Sequence, residues 1–148
     1  MTTRAHRPLS GAMRWQEVDV LRYKREDGAG FRDVARQVLF DDPALACQLR
    51  YFEVASGGHT TLERHEHAHA VLIERGRGRC LVGDCVYDVV EHDLVHVPSL
   101  TWHQFQADKG ELLGFLCMVN AARDRPQLPA PEDLARLREN PVVAEFIA

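Results

Sequence analysis

What this chain of 148 residues lacks narrows the reading before any motif does. Cys47, Cys80, Cys85 and Cys117 form no CxxC pair and no zinc-ribbon spacing, which excludes the usual thiolate metal sites. Long hydrophobic runs are missing: the uncharged stretch Leu112–Ala122 is 11 residues, too short to cross a bilayer as a helix. No long basic run is present. Eighteen Lys/Arg against 22 Asp/Glu give a formal charge of −4, which argues against a nucleic-acid partner. Met1 to Gly11 carries basic residues without an apolar segment behind them, so it does not read as a secretory signal. Internal repeats, low-complexity tracts and an attached helix-turn-helix are also missing. What remains is a chain 45% hydrophobic and 27% charged, enough for one globular domain with its own core. The expectation is a single cytoplasmic domain with no membrane partner.

Most of the chain reads as short strands. The spans are Trp15–Lys24, Arg32–Phe40, Leu45–Ala55, Thr61–Glu74, Gly78–Val82, Cys85–Val90, Leu94–Pro98 and Glu111–Asn120, separated by turn signals. This spacing predicts an all-β sandwich or barrel over residues 14–122, after a loose N-terminus at 1–13. Residues 123–148 differ. Pro126, Pro129 and Pro131 make a linker, Glu132–Glu139 reads as helix, and Asn140-Pro141 is an N-cap and first-turn pair for a last helix. A two-residue turn at Gly83-Asp84 sets Val82 opposite Cys85 and Cys80 opposite Tyr87. The thiols read as small core residues kept reduced, and a Cys80–Cys85 disulfide is not favoured.

Six of the eight histidines fall between His65 and His103, and His65, His67 and His69 alternate. In a strand, Glu63, His65, His67, His69, Val71 and Ile73 share one face, whose far end is apolar. Burying a carboxylate and several imidazoles unpartnered costs several kcal/mol. A bound divalent cation removes that cost, since both groups are ordinary ligands, and so does exposure of the row as a solvated edge. His92 and His96 have the opposite parity to Val95 and Val97, which places them outside.

The run from Gly57-Gly58 through Leu62-Glu63-Arg64-His65-Glu66-His67-Ala68-His69 to Gly76-Arg77-Gly78 resembles the first signature of the cupin superfamily. That signature has two histidines two apart, a glutamate four further on and a glycine seven beyond. Here Glu63, His65 and His69 occupy the three ligand positions before Gly76, with the residue types permuted. Asp93-Leu94-Val95-His96-Val97-Pro98 with His103 five after the proline resembles the second signature, with His92 and Leu100 standing where the superfamily has glycines.

The resemblance implies a double-stranded β-helix, the cupin or jelly-roll barrel, with a short C-terminal helical tail. It implies one divalent transition metal per chain (Fe, Mn, Ni, Co, Cu or Zn) held by Glu63, His65, His69 and His103, with His67 the alternate to Glu63. It further implies a metal-dependent oxidoreductase of dioxygenase type acting on a small chelated substrate. A decarboxylase or lyase is the alternative, as is a non-enzymatic barrel that binds or senses a small molecule or metal. A metal-free isomerase is disfavoured by the histidine row. The cue for an enzyme is a polar group beside the ion, with Tyr51, Tyr87 and Cys117 as catalytic candidates. A homodimer is implied too, through the strand from Trp15 and the helix Val142–Ile147, although both elements pack equally well on the chain's own barrel.

Overall fold

The computed structural model describes residues 5–22 and 32–147. Two short strands, β1 (Leu9–Gly11) and β2 (Arg14–Trp15), pair as a hairpin ahead of the main sheet. The main sheet contains β3 (Leu21–Arg22), β4 (Arg32–Phe40), β5 (Cys47–His59), β6 (His69–Val82), β7 (Cys85–Val90), β8 (Leu94–Val97), β9 (His103–Ala107) and β10 (Leu113–Asn120). All pairings are antiparallel. β10 pairs with both β5 and β6, and β9 pairs with the same two strands, so the sheet closes on itself. The result is a closed barrel with a short helical tail, α1 (Pro131–Leu137) and α2 (Pro141–Phe146).

Strand alternation decides what enters the barrel. On β5 the even residues Arg50, Phe52 and Val54 stand opposite Cys117, Phe115 and Leu113 of β10, all buried. Phe115 stacks on Phe52 and on Phe105, at 5.5 and 4.6 Å between ring centres, at the middle of the main core cluster. The odd residue Tyr51 faces the other way. Its ring meets the edge of Trp15 at 5.6 Å, and its hydroxyl donates to Glu53 at 2.9 Å. A second cluster joins Leu62 and Leu81 to Val143 and Phe146, so α2 is seated on the outside of its own barrel. Asn140 caps α2 by accepting from the Val142 amide at 3.0 Å.

Several expectations need correction. β6 begins at His69, not at Thr61: residues 61–68 form a loop pinned by isolated bridges, Glu63 with His103 and Arg64 with Gln127. β6 also runs unbroken to Val82, merging two spans that the sequence separated: its register against β10 shifts between Ile73 and Arg75, and Gly76 continues the strand at φ 77°. A Cβ at Gly76 would collide with the Leu112 carbonyl. β9, the strand that carries His103, had no span of its own in the sequence reading. The N-terminal span resolves into β2 and β3, with Tyr23 and Lys24 outside the described residues. The β6–β7 hairpin has the expected register, Cys80 opposite Tyr87 and Val82 opposite Cys85. All four cysteines are free.

Candidate metal centre

Three imidazoles converge at one end of the barrel interior. His65 comes from the loop before β6, His69 from the first residue of β6 and His103 from the first residue of β9. Their ligand nitrogens lie within 4.8 Å of one another. Backbone hydrogen bonds seat the loop: the Leu100 amide donates to the His65 carbonyl at 2.7 Å, and Glu63 and His103 exchange amide bonds at 3.2 and 3.0 Å. Asp124 completes the anchoring. Its carboxylate accepts from the Glu66 and His67 amides at 2.7 and 3.1 Å and meets His67 Nδ1 at 2.7 Å. Those amide bonds hold its carboxyl far below the ordinary range.

The ring environments suit a cation. His65 Nδ1 donates to the His67 carbonyl at 2.7 Å and His103 Nδ1 to the Thr101 carbonyl at 2.9 Å, which leaves each Nε2 with a lone pair. His69 Nδ1 lies 2.8 Å from Cys117 Sγ. The Nε2 atoms of His65 and His69 are 2.8 Å apart, close to the separation of two neighbouring nitrogens bound at about 2.1 Å to one ion. Burial, then the neighbouring imidazoles, lowers His69 to about 2. Burial brings His103 down to about 4 and lowers His65 as well. All three rings are therefore neutral at neutral pH, the form that ligates metals.

Not every sequence candidate joins them. Glu63 lines the same cavity, but its carboxylate lies outside the three-histidine group and makes no hydrogen bond or ion pair among the described residues. Burial raises it to about 7, against the opposing pull of Arg50. His67 stacks on His65 at 3.7 Å between ring centres and is engaged by Asp124. Cys117 is in the cavity wall, its thiol raised by burial. Tyr51 and Tyr87 are not in that wall: Tyr51 points outward under Trp15, and Tyr87 is 51% exposed on β7. Four charged wall residues were missed by the sequence reading, Arg123 among them. Asp124 carries no spacing signal, being 57 residues from its partner His67. Arg50 and Arg36 did carry one, as charges in the apolar rows of β5 and β4.

A closed antiparallel barrel gathers three neutral imidazoles inside a cavity of about 330 Å³, a group that could hold a metal ion. Comparisons with known proteins agree. The family model for the cupin domain matches residues 50–119. A Rhodospirillum rubrum protein named 1-methylthio-D-xylulose 5-phosphate methylsulfurylase is 56% identical over 97% of this chain and 92% of its own length. The crystal structure of a cupin 2 conserved barrel domain protein from Rhodopseudomonas palustris has TM-score 0.92 and 56% identity, covering 96% of this chain and 98% of that one. A cupin 2 domain-containing protein from Halorhodospira halophila has TM-score 0.72 and 42% identity, covering 89% and 88%. The chain belongs to the cupin family.

Proposed function

We propose that the chain is a metal-dependent enzyme that removes the methylthio group from a phosphorylated 1-methylthio ketose. The observation that carries this reading is 56% identity, over nearly the whole of both chains, to the Rhodospirillum rubrum methylsulfurylase. The cavity supports it. The polar group expected beside the ion of an enzyme is present in Cys117 and Glu63, which line the wall with the histidines. Oxygen chemistry and decarboxylation have no comparable support.

His65, His69 and His103 would hold the ion, with Glu63, whose carboxylate is uncommitted, a better fourth ligand than the Asp124-engaged His67. A bound ion would supply Lewis acidity toward the substrate carbonyl. Cys117 presents a thiol 2.8 Å from His69. In the step we propose, its sulfur bonds to the methylthio sulfur as the C1–S bond breaks. The electron pair left on C1 is conjugated with the adjacent carbonyl, and the thiol proton goes to C1. The products are a 1-deoxy ketose phosphate and a methyl disulfide on Cys117. A small external thiol, as reductant, then restores the cysteine. The four free cysteines support a reducing, cytoplasmic setting. A homodimer stays a proposal from resemblance alone, which sedimentation velocity tests.

The test uses the full chain loaded with Fe(II), Mn(II), Co(II), Ni(II) or Zn(II), a thiol reductant and 1-methylthio-D-xylulose 5-phosphate. Expected are methanethiol release, about one bound metal per chain lost in His103→Ala, and loss of turnover without loss of metal in Cys117→Ser. Fully loaded protein that releases no methanethiol with any of these metals overturns the reading.

A further inference from the structure

Arg50 is the most anomalous side chain in the barrel. It projects from β5 into the interior at 6% exposure, between Phe52 and the cavity. Its guanidinium lies over the Phe52 ring at 4.9 Å and reaches Cys117 Sγ at 3.7 Å, a poor acceptor. Its Nε is buried without a hydrogen-bond partner. No carboxylate among the described residues forms an ion pair with it. An arginine stays protonated in a protein, and a buried charge without a counter-ion is costly, so an apolar residue of the same size would make a more stable barrel.

Two more arginines line the same cavity. Across the β4–β5 pair, Arg36 faces Phe52 while Arg50 faces Val38, which puts the two arginines on diagonal positions of the same interior face. Arg123 lines the cavity as well. Of the two acids in that wall, Asp124 is taken by His67 and two backbone amides, and Glu63, though Arg50 acts on it electrostatically, forms no ion pair with it. The cavity therefore has a cationic wall on one side of Cys117 and neutral imidazoles on the other. A wall of that kind is matched by an anion with several oxygens, and the guanidinium fork matches phosphate in particular.

We propose that Arg50, with Arg36 and Arg123 on the same wall, is the subsite for a phosphomonoester dianion and selects phosphorylated substrates. Within the function proposed above, on which the identity of the substrate rests, this group is the phosphate at the far end of the sugar. Arg50 then orients the chain so that its other end reaches the histidines, with Cys117 between.

The test is calorimetric titration of the full, metal-loaded chain with D-xylulose 5-phosphate and with D-xylulose. The expected preference for the phosphate is about tenfold or more, the range of a charge-assisted hydrogen-bond pair. Arg50→Gln should remove most of that preference, and Arg50→Lys should retain part, with bound metal unchanged in both. Inorganic phosphate should raise the melting temperature of the native chain and not that of Arg50→Gln. Without ligand, Arg50→Met should melt no lower than the native chain, because it removes a buried charge that has no ion-pair partner among the described residues. Equal binding of the two sugars overturns the proposal, as does a preference that survives in Arg50→Gln. An Arg50→Met variant that melts well below the native chain does so too, since it makes the arginine structural. A phosphate preference without methylthio turnover leaves this subsite standing and removes the function. Turnover with an unchanged KM in Arg50→Gln does the reverse.

Discussion

At His69, burial and neighbouring imidazoles act in one direction, and the consequence is a sign that can be measured. His65, His69 and His103 all bind protons less readily folded than unfolded, where imidazole titrates near 6.5. The stability they contribute is full above that value and is lost as pH falls toward the folded values of about 4 for His103 and about 2 for His69. Glu63, raised from 4.5 to about 7, has the opposite sign: its contribution is present below 4.5 and is lost as pH rises through 7. Urea midpoints of the metal-free protein should therefore fall between pH 7 and pH 5. His103→Gln should make that fall shallower and Glu63→Gln should make it steeper. The opposite order would place the Glu63 carboxyl in water. The positions of Glu63, His65 and His69 were legible through the resemblance to the cupin signature, as residues two and four apart with a glycine at fixed distance. Asp124 was not, because its hold on the loop is a contact across 57 residues of chain.

At the scale of the element, the loop from Thr61 to Ala68 is the instructive case. Its alternating pattern is that of a strand, and Glu63, His65 and His67 do line one cavity. Yet its backbone donors are spent on Asp124, Gln127 and His103, not on a continuous ladder, so tertiary anchors replace strand pairing. The turns around β8 show the converse. His92 and Leu100 stand where the family signature has glycine, and both adopt that conformation, at φ 74° and 54°. Left-handed backbone costs a side-chain-bearing residue about 1 kcal/mol relative to glycine. Both residues are exposed, so little packing is lost on truncation. Leu100→Gly and His92→Gly should each raise unfolding free energy by about 1 kcal/mol in thermal or urea melts. Gly76→Ala should lower it by more than about 2 kcal/mol, because strain there is joined by a collision with the Leu112 carbonyl.

At the scale of the whole molecule, the tail and the N-terminal hairpin complete the barrel's outer surface. Val143 and Phe146 are 1% and 3% exposed against Leu62 and Leu81, and Trp15 covers Tyr51. Of the two elements that resemblance offered as dimer contacts, α2 seats Val143 and Phe146 on its own barrel and leaves Val142 exposed, while the N-terminal one seats Trp15 and leaves Val20 and Leu21 exposed. Phe146→Ala should destabilise the protein by about 3 to 5 kcal/mol, the usual cost of truncating a buried aromatic, measured by urea unfolding. No helix among the described residues is long and apolar enough to cross a membrane.

The sequence alone pointed to a strand sandwich or barrel and to the helical tail with its Asn140 cap, because hydrophobic period and turn chemistry are local properties of a chain, while the resemblance to the cupin signatures singled out His65, His69 and His103. Only the tertiary structure decided which polar groups share the cavity with those histidines. Tyr51 and Tyr87 left it through strand parity and the placement of β7, while Cys117, Arg50, Arg36 and Asp124 entered it from β10, β5, β4 and the segment after β10. Closure of the sheet brings strands far apart in sequence onto one interior wall, and no local pattern records which side chains then face one another.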